Sequence, residues 1–290
     1  MKITFVGGFA RTGTTMLQSI LCSTAASNPM IGEAVFMRAL LENYWRGKGL
    51  FDEHSRYYFD DPGDLRGFCR HQVDEFLERT AARFGDPQHL ILKHPQLTPM
   101  FPLLHELRPD IRFVVSLRSP LDTVASGLRA RDKGAPEFRG TTPASIARDY
   151  VAFYTPSLGT RSPSFESQTL YVKYEALVAD PKDLARRIGV ELGLDLSGFD
   201  PTAEAGHSQR DFGAAAEQAR PLHSGLYGKG ISADRVGRHD DVLSGHDAEE
   251  VSRICSAVLT LYQIEAGLFR MATTSAGAPT VRPIPAPGQP

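Results

Sequence analysis

The strongest constraint on this chain is the run Ile3-Thr4-Phe5-Val6-Gly7-Gly8-Phe9-Ala10-Arg11-Thr12-Gly13-Thr14-Thr15-Met16-Leu17. Its apolar, β-branched start reads as a buried strand. A turn carrying Gly7, Gly8 and Gly13 follows, then a helical pattern with Leu17, Ile20 and Leu21 on one side. Strand, glycine-rich turn and helix together make an anion cradle. Glycine lets the backbone approach a phosphate closely, and the first N–H groups of a helix have no partner within it. The spacing Gly8…Gly13-Thr14-Thr15 has the frame of a nucleotide-binding P-loop with one departure. Thr14 stands where the lysine that reaches the β- and γ-phosphates of ATP belongs, and the nearest cation is Arg11, inside the loop. Such a loop suits a nucleotide with a shorter charged tail.

Three more strands follow the same logic. His89-Leu90-Ile91-Leu92-Lys93 ends at His94-Pro95, and Thr98-Pro99 reads as the start of a short helix. Ile111 to Arg118 is apolar throughout, as for a central parallel strand buried on both faces. Ser119-Pro120-Leu121-Asp122 then opens a helix with a serine cap, and Ser126 lies two turns in. Thr169 to Tyr174 is the fourth strand, and amphipathic helices end with one over Val251, Ile254, Val258 and Leu261. Strands alternating with helices give an α/β fold, a P-loop-type, mostly parallel sheet flanked by helices. Ligands of such sheets sit beyond the carboxyl ends of the strands, where Arg11, Lys93 and Arg118 all fall. Lys93 is costly to bury there unless it snorkels or faces an anion. Glu33 opens a helix, either as a helix-terminal carboxylate or as a functional one. The aromatics between Tyr44 and Phe68 read as a satellite core or as the wall of an acceptor pocket.

The expected domain spans residues 1–272, with a disordered, Pro-rich tail at 273–290 and a mobile stretch from Gly193 to Gly228. A formal charge of −2 argues against a nucleic-acid partner. Cys22, Cys69 and Cys255 are far apart, which points to a reducing compartment and no metal site. No apolar run approaches membrane-spanning length. The first strand consumes the N-terminus, leaving no room for a cleaved signal, so the expected location is cytoplasmic.

With these residues in place, the chain resembles the sulfotransferases that use 3′-phosphoadenylyl sulfate (PAPS), over roughly residues 3 to 265 and closest to the tyrosylprotein-sulfotransferase-like branch. Arg11-Thr12-Gly13-Thr14-Thr15 resembles the family's 5′-phosphosulfate loop. Arg118 with Ser126 resembles its 3′-phosphate pair, and Tyr174-Glu175-Ala176-Leu177 its Tyr-Glu-Asp-Leu, whose tyrosine lies near the adenine. Gly32-Glu33 is similar to the segment that supplies the base in the tyrosylprotein enzymes, and Leu92-Lys93-His94-Pro95 to the one carrying their lysine. His94 replaces an aspartate there, and no membrane anchor is present. The cationic loop from Ile231 to Arg238 is loosely matched, with Ser232 and Arg238 as its cofactor-binding candidates.

The resemblance implies sulfuryl transfer from PAPS to the hydroxyl of an acceptor, more a small molecule than a protein, with adenosine 3′,5′-bisphosphate (PAP) as product. Glu33 would be the base, with His94 its rival, and Lys93 and Arg11 would stabilise the leaving phosphate. If strand geometry persists there, alternation points Lys93 and His94 to opposite faces. No metal, nucleic acid or membrane is called for. A P-loop kinase-like phosphotransferase and a non-catalytic nucleotide-binding protein are the competing readings.

Overall fold

The computed structural model describes residues 1–202, 231–262, 265–274 and 278–285. Strand β1 (Lys2–Gly8) leads to α1 (Thr14–Leu21), α2 (Val35–Gly49) and α3 (Pro62–Arg83). Strand β2 (His89–Lys93), a 3-10 turn (Pro95–Met100) and α4 (Phe101–Leu107) follow. Then come β3 (Arg112–Leu117), α5 (Pro120–Asp132), α6 (Pro143–Gly159), α7 (Pro163–Gln168) and β4 (Thr169–Lys173). Helices α8 (Tyr174–Ala179), α9 (Pro181–Leu192), α10 (Gly245–Ile254) and α11 (Ser256–Tyr262) precede β5 (Leu268–Thr273) and β6 (Pro279–Pro283).

The sheet runs β2-β1-β3-β4-β5-β6. Its first four strands are parallel, and β5 and β6 are antiparallel. Side chains alternate across it. Phe5, Leu92, Phe113 and Tyr171 enter one core layer, under α2 to α6 and α10. Val6, Ile91, Val114 and Val172 enter the other, with Leu17 of α1 and Ile188 of α9. Burial of both faces is why these strands read as unbroken apolar runs. The chain leaves β1 for β2 on one side and returns to β3 on the other, so α1 starts where the strand order reverses, a place where open α/β sheets bind ligands.

Local signals set the helix starts. Ser119 caps α5, with Pro120 in its first turn. Thr142 and Ser145 form a reciprocal capping box on α6, and Ser244 with Asp247 does so on α10; a cap of this kind contributes ~1 kcal/mol.

Three expectations change. Thr98 does not cap a helix: it lies inside the 3-10 turn, and its Oγ1 accepts from the Gly8 N–H at 2.7 Å. Gly7 and Gly8 belong to β1, paired with Val115 and Ser116 of β3, so the turn starts later than expected. The boundary at 272 falls inside β5, and the expected tail contributes β6, whose Val281 is paired with Met271 and packs on the core. One inward valine suffices for an edge strand, and its prolines sit at the two ends, where a missing N–H is tolerated. The stretch expected to be mobile lies outside the described residues from 203 onward, as do 275–277 and 286–290.

Candidate active site

The cradle is built from backbone. Gly13 takes φ 93°, and a Cβ there would meet the Tyr174 ring at 2.6 Å, so only glycine fits. At Gly7 a Cβ would collide with Thr98 and Phe101. Arg11 adopts φ 73°, a left-handed conformation that costs a non-glycine residue about 1–3 kcal/mol and concentrates at functional sites. The loop is braced from below. Tyr154 OH accepts from the Phe9 N–H and donates to Ser116 O, while Ser116 Oγ donates to Thr12 O at 2.5 Å. Thr12 is fully buried, its hydroxyl spent on Phe9 O. The first turn of α1 carries no side-chain cap and no acidic residue, so its N–H groups stay available to an anion.

Arg118, just beyond β3, is 5% exposed. Its guanidinium lies over the Tyr174 ring, 4.6 Å from the centroid. It donates to Arg11 O at 3.1 Å and Arg235 O at 2.6 Å, and its Nε has no partner. Among the described residues no carboxylate forms an ion pair with it. A cation this buried and unpaired is expensive unless the site receives an anion. Ser126 does not bond Arg118: its Oγ accepts from Arg11 Nε at 3.4 Å. Burial lowers the Arg11 pKa, with Glu137 opposing and Arg118 adding to the shift.

The second cluster sits at the end of β2. Lys93 Nζ donates to Glu33 Oε1 at 3.1 Å and to Thr15 Oγ1 at 3.3 Å, linking the cradle to Glu33. His94 Nδ1 lies 3.2 Å from Glu33 Oε2. Lys93 and His94 therefore meet the two oxygens of one carboxylate instead of parting to opposite faces. The strand ends at Lys93, and Ala34 N–H bonds Lys93 O at 2.9 Å, which docks Glu33 against this corner. His94 first, then Lys93, hold the Glu33 carboxyl down at about 2, against the desolvation that raises it. The Glu33 side chain is 43% exposed and that of His94 only 5%.

The candidates thus form two groups. Arg11, Gly13, Thr14, Arg118, Ser126 and Tyr174 surround the cradle, with Lys93 and Thr15 bridging it to Glu33. Ser232 and Arg238 lie on the loop over Arg118. Ser232 Oγ accepts from Asp234 N–H, while the Arg238 guanidinium is spent on Asp241 at 2.9 Å. The sequence reading missed Arg235, Arg129 and Asp122. Arg235 faces Arg118 through its carbonyl, and Arg129 feels the charges of Arg235 and Arg118, which add to the lowering of its pKa by burial. A second cationic face on α5, one turn past Ser126, was the available signal for Arg129.

Among the described residues no helix is long and apolar enough to cross a membrane. Over residues 4–198, more than half of the chain, the sequence matches the model of the sulfotransferase family. No curated protein matches the sequence. The fold is similar to the sulfotransferase domain of the olefin synthase of Synechococcus PCC 7002, at 18% identity and TM-score 0.56, covering 89% of this chain and 94% of that one. A sulfotransferase domain from the curacin biosynthetic pathway matches at 17% identity and TM-score 0.54, over 89% and 97%. A sulfotransferase from Mycobacterium avium matches at 15% identity and TM-score 0.52, over 92% and 78%. These likenesses place the fold, and the family match places the chemistry: the chain belongs to the sulfotransferase family, enzymes that transfer a sulfuryl group from PAPS to an acceptor.

Proposed function

We propose that this enzyme sulfates the hydroxyl of a small-molecule acceptor, with Glu33 as the base. The observation that carries this reading is the Thr15–Lys93–Glu33 chain, which runs from the cradle to the one solvent-facing carboxylate of the corner. Arg118 with Ser126 would hold the 3′-phosphate. The Arg11–Thr15 loop and the N-terminus of α1 would hold the 5′-phosphosulfate, and Tyr174 would lie toward the adenine. The unpaired Arg118 guanidinium and the uncapped helix suit a doubly phosphorylated nucleotide. The donor supplies the sulfuryl group and departs as PAP.

Glu33 takes the acceptor proton as the oxygen attacks sulfur, and Lys93 meets the charge that grows on the leaving phosphate. A carboxyl held at about 2 is a weak base. Lys93 must let go of it to serve the phosphate, which removes one cause of that depression and strengthens the base when it is needed. His94, far less exposed than Glu33, is the less accessible of the two to an acceptor and serves as the partner of Glu33. The tyrosylprotein-like branch rests on this Glu33–Lys93 pair. Val35 and Phe36, exposed beside Glu33 in the chain, favour an acceptor with an apolar body. Three free cysteines suit a cytoplasmic location. The test is labelled sulfate transfer from PAPS to phenols, alkyl alcohols, sugars and tyrosine peptides, with Glu33→Gln and His94→Ala beside wild type. Transfer to a small hydroxyl that Glu33→Gln loses and His94→Ala largely keeps supports the reading. The reverse pattern makes His94 the base.

A further inference from the structure

Asp122 is a buried carboxylate that the reaction does not use. It is 3% exposed, in the first turn of α5, where a carboxylate ordinarily favours the helix N-terminus. Its oxygens turn instead to a loop more than a hundred residues later. Oδ2 accepts from Gly237 N–H at 2.7 Å and Oδ1 from Arg238 N–H at 3.0 Å. His239 Nδ1 lies 3.6 Å from Oδ1. The same loop is gripped at two further points: Arg118 donates to Arg235 O at 2.6 Å, and Arg129 donates to Arg238 O at 2.8 Å. Gly237 takes φ 67°, so the loop turns sharply where Asp122 holds it. This brings Arg235 near Arg129 and Tyr174, whose electrostatics register it.

A negative charge here is paradoxical. Beside a site that receives a phosphate it repels the ligand, so its benefit has to come from what it holds. We infer that Asp122 is a positioning residue for donor binding: it clamps the 235–238 loop against Arg118 and so completes the cationic wall around the 3′-phosphate. This rests on the reading that Arg118 receives that phosphate.

The two roles predict opposite signs. Asp122→Asn removes the charge and leaves one acceptor oxygen for two N–H groups. Calorimetry with PAP and with adenosine 5′-monophosphate, which lacks the 3′-phosphate, separates them. The clamp predicts that PAP binds at least about fivefold more weakly while the monophosphate changes less than about twofold. Tighter or unchanged PAP binding, or equal losses for both nucleotides, overturns the inference. Arg118→Ala is the control. If it leaves PAP affinity intact, the underlying reading of the site fails. If it weakens PAP while Asp122→Asn does not, only the clamp fails. Should Asp122→Asn not fold, amide exchange on the wild-type protein decides the matter: PAP should slow exchange at Gly237 and Arg238 and the monophosphate should not. Equal protection by both nucleotides, or none by PAP, overturns the clamp.

Discussion

Among the cations buried at the carboxyl edge of the sheet, Lys93 at the end of β2 and Arg118 just past β3 are held in opposite ways. Lys93 has a carboxylate, Glu33, at 3.1 Å. Among the described residues Arg118 has backbone carbonyls and a tyrosine face but no carboxylate partner. A guanidinium given to carbonyls keeps its full charge for a ligand and keeps its place when the ligand leaves. An ammonium paired with a carboxylate has to exchange one anion for another. On the proposed assignment, the Arg118 end binds and the Lys93 end changes partner during the reaction. This contrast follows the division of labour between holding a nucleotide and moving a group from it.

The largest expected effect tests the exchanging end. Glu33→Gln keeps the shape of the side chain but cannot take a proton, so kcat should fall by ~10² or more, with PAP affinity preserved. Acidic phenols should lose less than alkyl alcohols, because an acceptor already largely ionised needs less help from a base. Steady-state kinetics with both acceptor types checks this, and an equal loss for both would count against proton transfer as the role of Glu33.

The next effect tests the binding end. Arg118→Ala removes charge-assisted contacts that contribute ~1.5–3 kcal/mol, so PAP should bind at least tenfold more weakly by calorimetry. A nucleotide without a 3′-phosphate should lose little. No ion-paired carboxylate is stranded by the change, so the thermal midpoint should move less than the affinity does.

How much of this contrast could be read from the chain follows from its physics. The binding end is local: β1, the glycine turn, α1, and the Arg118–Ser126 interval each lie within one strand–turn–helix unit, where periodicity and capping rules operate. Arg118 was therefore identifiable as a candidate for binding. Its clasp was not, because Arg118 meets Arg235, and Asp122 meets Gly237, only through tertiary folding between residues more than a hundred apart. At the other end, Glu33 and Lys93 were each identifiable, but strand alternation separated Lys93 from His94. The strand ends at Lys93 and the Glu33 segment docks across that end through Ala34 N–H on Lys93 O, so one carboxylate lies within reach of both side chains. The aromatic stretch was undecidable by pattern and proves mixed. Tyr44 is buried and bonded to Glu106, whereas Trp45, Tyr57 and Tyr58 face solvent.

A smaller effect is expected where sterics hold the binding end together. Gly13→Ala places a Cβ against the Tyr174 ring at a residue with φ 93°, which disfavours both the turn and the stack of Arg118 on that ring. Stability should fall by about 1–2 kcal/mol, read from denaturant unfolding, and PAP affinity should fall with it. The Lys93–Glu33 pair reaches this turn only through Thr15 and should be less affected. A Gly13→Ala variant that lost turnover with its nucleotide affinity intact would erase the distinction between the two ends.

The smallest effect lies in the pH profile of the exchanging end. The Glu33 carboxyl is depressed from 4.5 to about 2, by His94 first and by Lys93 after it. A depressed carboxyl is ionised above its folded pKa, and whatever depends on that charge is lost only as pH falls through it. Between about pH 4 and pH 8 the free enzyme should therefore have no acidic limb in kcat/KM due to Glu33. Lys93→Met removes the lysine's attraction and hydrogen bond but leaves His94 in place. The limb should then rise toward the ordinary carboxylate range, on a much reduced absolute rate because the leaving phosphate has lost its cation. Adding Glu33→Gln to Lys93→Met should abolish that limb. Profiles of wild type, Lys93→Met and the double variant, measured with one acceptor, test the sequence of events directly. If the limb stays where it was when Lys93 is removed, Lys93 does not control Glu33, and the exchange of partners is not part of the reaction.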